Sequence, residues 1–322
     1  MDRIKAGVAG AGRHGSRYID HILNDIEGIE LSAIARYDPD RGLERRWKGK
    51  DITLFHDIDD IISSGIDLLI IATPTDTHHS IARKALENNI HVLLEKPMCG
   101  NSSLCRELMK IERSSAGTLT VAQTLRFSPS VLEMERILEK EGPIRWFEMV
   151  NALEQPKTNW LMEERAMGGC VLNTGVHVFD LINHLLGSIK SASCWTERIF
   201  NPVWEDYAYG NLTISDGIEG SFRISRNTNL RTRYIRVDLQ EGFIWADTVS
   251  DMIYTVKDGK MKKRKIKGER FTLIPLLNRM VDVVKGNSEP PVNSKDGLKA
   301  VEVAEACYSS VKEDREIRLK SE

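Results

Sequence analysis

A parallel α/β domain followed by an α+β domain is the fold class this sequence predicts, and three observations predict it. A glycine-rich turn joins a short apolar strand to an amphipathic helical stretch within the first 26 residues. Continuous apolar runs of four or five residues follow, each ending in a polar loop, as buried parallel strands do. Beyond residue 144 the pattern changes to segments that alternate apolar and polar residues, which suits a sheet with one covered and one partly polar face.

The length of 322 residues suggests two domains. A net charge of −2, with 41% hydrophobic and 29% charged residues, gives no electrostatic reason to expect a nucleic-acid or membrane partner. No apolar run approaches the ~20 residues that span a bilayer. The first five residues enter a strand directly, without the apolar core and cleavage site of a signal peptide. The five cysteines (Cys99, Cys105, Cys170, Cys194 and Cys307) are odd in number and scattered. They read as reduced, mostly buried thiols of a cytoplasmic protein, in which the sequons at Asn101 and Asn211 carry no meaning. Internal repeats and low-complexity segments are absent.

The first strand, 4–9, runs into Gly10-Ala11-Gly12-Arg13-His14-Gly15, and Tyr18, Ile19, Ile22, Leu23 and Ile26 follow at helical spacing. In that context Gly10 permits a tight turn, Gly12 lets backbone approach a pyrophosphate, and Gly15 lets the helix pack on the strand. The helix start then offers amide donors to phosphate oxygens. A glycine turn without a ligand is the bland alternative, and the strand–turn–helix setting argues against it. The segment therefore reads as the opening of a Rossmann domain that binds a dinucleotide.

The second strand, 31–35, ends at Arg36-Tyr37-Asp38-Pro39. NAD-binding proteins usually place an acid at this strand end, on the adenosine ribose hydroxyls. Here it is Arg36, whose forked donors suit a 2′-phosphate, so NADP is the expected cofactor. Asp38 keeps NAD open. A third strand, 68–72, leads into Thr73-Pro74-Thr75-Asp76-Thr77-His78-His79. Adjacent histidines at a helix start diverge, and no further ligands join them, so no metal is expected. His78 either caps the helix or contacts cofactor. The fourth run, 91–94, ends at Glu95-Lys96-Pro97. Carboxyl ends of parallel strands line the ligand crevice, which would place Lys96 where a partly desolvated amine can transfer a proton. Alone it would read as a surface lysine before a turn proline.

These blocks, together with Leu125-Arg126-Phe127-Ser128-Pro129, Gly168-Gly169-Cys170-Val171-Leu172-Asn173-Thr174-Gly175-Val176-His177-Val178-Phe179-Asp180 and the 296–306 segment, resemble the glucose-fructose oxidoreductase/inositol dehydrogenase/rhizopine catabolism (Gfo/Idh/MocA) family. The resemblance spans nearly the whole chain. It implies a Rossmann domain over 1–123 and, over 124–322, a substrate-binding and oligomerisation domain with a large open, mainly antiparallel sheet. It also implies that a C-terminal helix at about 293–312 packs back on the first domain, and that the protein is a homodimer or homotetramer through the outer sheet face. A cis Lys96–Pro97 bond is implied too. Lys96 would contact nicotinamide and the reacting hydroxyl, with Glu95 and Thr75 beside the cofactor and Thr73, Pro74 and His78 lining the nicotinamide side.

In the second half, 122–128 marks the crossing between domains, and 129–141 reads as a helix with Val131, Leu132, Met134, Ile137 and Leu138 inward. Strands are expected over 144–152, 191–199, 208–214, 218–224, 234–239 and 243–246. Within 168–186, Asn173, His177, Asp180 and His184 fall at spacings of four, three and four, so they would share one helical face. Polar groups set in so apolar a stretch need partners, and a cleft supplies them. The resemblance makes His177 the proton-transfer histidine. Many relatives carry aspartate where this chain has Asn173; asparagine can orient an imidazole but cannot supply charge. Arg126 either holds substrate or fixes the turn. Trp160 either stacks on a sugar ring, with Asn159 or Lys157 holding hydroxyl or acidic groups, or closes the core edge. The basic run 260–265 beside Asp258-Gly259 reads as a solvated hairpin.

The sequence thus predicts an NAD(P)-dependent oxidoreductase that acts on a sugar, polyol or sugar derivative. Lys96, His177 and Asn173 would carry the chemistry. A dinucleotide-binding regulatory protein that has lost efficient catalysis is the alternative, and a reductase of an imine or diketone is a weaker one.

Overall fold

The computed structural model describes residues 3–36, 47, 50–155 and 159–320, with backbone alone at 159 and 160. The chain separates into two compact units. One comprises Met1–Cys99, Ser103–Ala122 and Leu273–Leu298; the other comprises Gly100–Ser102, Gln123–Thr272 and Lys299–Glu322. The return of Leu273–Leu298 to the first unit lies well past the boundary expected near residue 123.

The first unit is built on a parallel sheet in the order β3-β2-β1-β4-β5-β6 among the described residues. The strands are β1 (Ile4–Ala9), β2 (Ile29–Ala35), β3 (Thr53–Phe55), β4 (Leu68–Ile71), β5 (His91–Leu94) and β6 (Leu119–Val121). β4 is buried at all four positions and β5 at three, because helices cover both faces; this is why these strands read as continuous apolar runs. Helix Arg13–Asn24 buries Tyr18, Ile19 and Ile22, as its spacing predicts. Strand order reverses between β1 and β4, and in such sheets ligands bind at that switch point, beyond the carboxyl ends. The returning segment joins the far edge, where Val121 N donates to Val292 O at 2.9 Å. Helix Leu273–Val284 then buries Leu276, Leu277, Met280 and Val283.

Among the described residues the second unit holds a nine-stranded sheet in the order β14-β13-β12-β11-β7-β10-β9-β8-β15. Its strands are β7 (Ile144–Glu154), β8 (Ile189–Glu197), β9 (Tyr207–Ile214), β10 (Glu219–Thr228), β11 (Thr232–Leu239), β12 (Gly242–Asp247), β13 (Met252–Lys257), β14 (Lys260–Lys265) and β15 (Ile317–Arg318). Pairing is antiparallel except between β7 and β10. One face buries Phe147, Met149, Phe222, Ile224, Ile235 and Val237, and Phe179 meets Phe222 edge-on at 5.5 Å. The other face is aromatic and more open. Trp195 stacks on Tyr209 at 5.6 Å, Trp245 stacks on Tyr254 at 4.8 Å, and Trp195 stays 46% exposed. The basic run forms β14, exposed throughout; its lysines discourage pairing along that edge. All five cysteines are buried. No described helix is long and apolar enough to cross a membrane.

One buried side chain ties two loops of the first unit together. His78 is 1% exposed at the start of helix His78–Glu87. Its Nδ1 lies 2.8 Å from Pro97 O and its Nε2 lies 3.0 Å from Thr73 O. Burial pushes the imidazole pKa down and outweighs the two carbonyls and Glu95, which push it up. Below the usual imidazole pKa the unfolded chain takes a proton that the folded chain refuses, so folding stability falls as pH drops. One such proton is worth at most about 1.4 kcal/mol per pH unit. Denaturant unfolding between about pH 7 and about pH 5 should therefore show a shallower pH slope in His78→Gln than in the wild type. Equal slopes would contradict this assignment.

Candidate active site

β1 ends at Ala9, and the helix begins at Arg13. Gly10 sits at φ +91°, where L side chains are strained. A Cβ on Gly15 would lie 1.7 Å from Gly10 O, so only glycine lets the helix rest on the turn. A Cβ on Gly12 would meet nothing within 4 Å, which leaves its backbone open to a ligand's approach. Gly12 caps the helix without a side-chain bond, and the first turn has no acid, so its amide donors suit an anion. Ala11 is buried, whereas Arg13 and His14 are exposed. These residues fit a dinucleotide diphosphate.

Glu95 and Lys96 follow β5 directly. Glu95 Oε1 accepts a hydrogen bond from Tyr18 Oη at 2.9 Å, and its Oε2 accepts one from Lys96 N at 3.2 Å. Tyr18 is wholly buried, and burial beside Glu95 pushes its phenol well above the usual range. His14 Nδ1 lies 3.8 Å from the same carboxylate. The Lys96–Pro97 bond is cis, and the lysine is half-buried. Beyond β4, Thr77 Oγ1 stands 2.7 Å from both Thr73 Oγ1 and Pro74 O, and Thr75 is buried at the first position of a 3₁₀ turn. Gly10–Gly15, Thr73–Thr75, His78 and Glu95–Lys96 thus gather at the ends of β1, β4 and β5. His78 neither caps its helix by a side-chain bond nor pairs with its neighbour. It stands between two carbonyls, one of which takes the single proton of the neutral ring, while His79 Nε2 lies 3.3 Å from Glu107 Oε2. Arg36 follows β2; its backbone N donates to Phe55 O, and its buried Nη1 has no hydrogen-bond partner among the described residues. Tyr37 and Asp38 lie outside the described residues.

In the second unit the expected single polar face is corrected. Cys170–Asn173 is one short helix and Gly175–Leu186 is another, and the break falls at Thr174 (φ −117°, ψ −36°). Asn173 therefore does not share a helix with His177. Its Nδ2 donates toward the carbonyls of Ala166 and Gly169, both at 3.3 Å, and most closely to that of Gly168. Asn173 pins the loop before it. His177 instead meets Gln123, with Nδ1 at 2.8 Å from Gln123 Oε1. Gln123 is 1% exposed and also donates from Nε2 to Val176 O at 3.3 Å. Asp180 takes Arg126 in a two-point pair, Nε to Oδ2 at 2.9 Å and Nη2 to Oδ1 at 2.6 Å. Both side chains are buried, so the guanidinium fork serves the helix rather than standing open to a ligand. His184 faces Glu135 at 3.2 Å.

A cavity of about 150 Å³ lies against Asn173, with Gln155, Cys170, Glu205 and Arg226 in its wall. Glu205 Oε1 accepts from Val171 N at 3.0 Å and from Tyr308 Oη at 2.8 Å, and burial pushes its carboxyl pKa up. Asn159 and Trp160 contribute backbone to the 3₁₀ turn Asn159–Met162, and Lys157 lies outside the described residues. Gln123, Glu205, Arg226 and Tyr308 are absent from the sequence-based candidates. Only Gln123 carried a local signal, as an amide within the apolar run around Val121, Ala122 and Leu125.

Comparison with known proteins agrees with this geometry. Residues 4–123 match the model described as an oxidoreductase family with an NAD-binding Rossmann fold, and residues 134–245 match the GFO/IDH/MocA C-terminal domain. The NADP(+)-dependent scyllo-inositol 2-dehydrogenase IolW of Bacillus subtilis (strain 168) is 22% identical, covering 99% of this chain and 97% of its own. The NAD(+) scyllo-inositol 2-dehydrogenase of the same organism is 24% identical, over 98% and 96%. The WlbA dehydrogenase of Bordetella pertussis, solved with NADH and UDP-GlcNAcA, superposes with a TM-score of 0.87 at 20% identity, over 99% of each chain. A parallel sheet with a glycine turn at its switch point, a mainly antiparallel second sheet, and matches to both domain models make this chain a member of the Gfo/Idh/MocA oxidoreductase family.

Proposed function

We propose that the protein is an NADP-preferring dehydrogenase or reductase that moves hydride between nicotinamide and a carbinol carbon of a sugar, polyol or sugar derivative. The observation that carries this reading is Lys96, held at the end of β5 by Glu95 and the backbone of its own turn. Two full-length relatives named for scyllo-inositol oxidation support the substrate class. When bound, the nicotinamide supplies the hydride acceptor or donor. In oxidation the Lys96 amine takes the hydroxyl proton, and in reduction it returns it to the nascent alkoxide; His177 is the second candidate for proton transfer. Asn173 acts by fixing the loop that borders the 150 Å³ cavity, whose amide, carboxylate and guanidinium groups suit hydroxyl-rich ligands. Arg126 supports the His177 helix through Asp180. The regulatory alternative rested on asparagine at 173. Gln123 supplies the orienting contact on the imidazole, which favours the enzymatic reading.

Lys96→Ala should lower turnover by roughly 10²–10⁴-fold and leave NADP affinity nearly unchanged, as stopped-flow rates and a fluorescence titration would report. Near-normal turnover would remove Lys96 from the mechanism.

NADP preference rests on Arg36 at the β2 end, where a 2′-phosphate would partner its guanidinium. Arg36→Ala should cut kcat/KM for NADP about 10–100-fold and leave that for NAD little changed, as the loss of a charged hydrogen bond implies. Equal losses for both nucleotides, or a wild type that prefers NAD, would show that Arg36 serves something else.

The open aromatic face of the nine-stranded sheet is proposed as the subunit contact of a homodimer or homotetramer, since exposed aromatic patches mark association sites. Light scattering should show a dimer or tetramer that dissociates in Trp195→Glu. A monomeric wild type, or an assembly indifferent to that substitution, would contradict it.

A further inference from the structure

We propose that Gln123 is a positioning residue that fixes His177 as its Nδ1–H tautomer and so makes Nε2 the nitrogen that handles the substrate proton. The inference rests on the proposed role of His177 and adds to it the identity of the reacting atom.

Gln123 lies just beyond β6, is 1% exposed, and enters the 3₁₀ turn Thr124–Phe127 with φ −81° and ψ 70°. A buried amide needs partners at both ends. One end meets Val176 O at 3.3 Å and the other meets His177 Nδ1 at 2.8 Å. An amide can be turned end for end, so its direction has to follow from its partners. A carbonyl only accepts, and turning the amide would set two oxygens against each other with no proton between them. The NH₂ end therefore faces Val176, and the oxygen faces the imidazole. An oxygen acceptor at 2.8 Å requires a proton on Nδ1. A neutral imidazole has one ring proton, so its lone pair falls on Nε2.

The grip is two-fold. Gln123 holds the backbone of residue 176 and the ring of residue 177 together, in the first turn of helix Gly175–Leu186, where His177 N donates to Thr174 O at 3.3 Å. A neutral amide orients the ring without the charge a carboxylate would add. This is how a chain with asparagine at 173 keeps an oriented histidine.

The test reads the tautomer directly. In protein carrying ring-¹⁵N histidine, at a pH well above the imidazole range, nitrogen shifts distinguish Nδ1–H from Nε2–H, and His177→Asn identifies the resonance. The wild type should show Nδ1–H. Gln123→Met should lose that preference and lower kcat by about 10–100-fold, the usual cost of removing a partner that orients an imidazole. Its NADP affinity should stay unchanged, and Gln123→Glu, which keeps an oxygen acceptor for Nδ1 while giving up the amide's bond to Val176 O, should still show Nδ1–H. A wild type in the Nε2–H form overturns the proposal. So does Gln123→Met with an unchanged tautomer, or with a changed tautomer and full turnover. The wild-type and Gln123→Glu spectra decide the tautomer even where Gln123→Met fails to fold. The spectra need no turnover, so an inactive protein would sink the proposed activity and leave this assignment standing.

Discussion

A single carboxylate, Glu95, holds the lysine backbone on which the proposed chemistry depends. One oxygen is taken by the buried Tyr18 hydroxyl and the other by the Lys96 amide. Tyr18 belongs to the helix that the glycine turn launches, so the element that suits a diphosphate also positions the lysine. From the other side, His78 packs between Pro97 O and Thr73 O and donates its one ring proton to one of them. Burying an acid, a phenol and an imidazole so close together is costly unless each finds partners, and here each does. The partners come from the segments that follow β1, β4 and β5, and β1 and β4 flank the switch point.

The second unit solves a similar problem with a different set of groups. The helix that carries His177 is anchored below by the buried Arg126–Asp180 pair. Such a pair contributes little to stability, because desolvation offsets its attraction, but removing one partner costs about 3–5 kcal/mol. It therefore specifies an arrangement more than it strengthens the fold. Glu205, Tyr308 and the start of helix Cys170–Asn173 make a second polar cluster at the cavity wall. A raised Glu205 pKa there makes the wall less anionic than its composition suggests.

Much of this was legible in the chain. The glycine turn, the apolar runs of β4 and β5, and Glu95-Lys96-Pro97 are contiguous signals with local physical causes, and the structure places them on one sheet edge. Alternation revealed most strands of the second sheet. It could not reveal that β7 and β10 run parallel, because alternation carries no direction. Three-residue strands such as β3 and β6 are too short to show a period. The break at Thr174 was hidden because spacings of four, three and four fit an unbroken helix; close approach at Gly175, whose Cβ would lie 2.9 Å from Ile224, is a tertiary fact. Gln123 escaped for the same reason. Its histidine lies 54 residues on.

Label transfer tests the account most directly. The protein would be incubated with oxidised NADP and an inositol or sugar carrying deuterium at its carbinol carbons, and the nicotinamide examined for the label. The account predicts one deuterium at nicotinamide C4 in the reduced cofactor, drawn from the substrate carbon and not from solvent. Tight nucleotide binding with no label transferred from any polyol, sugar or sugar acid, with either NADP or NAD, would contradict it.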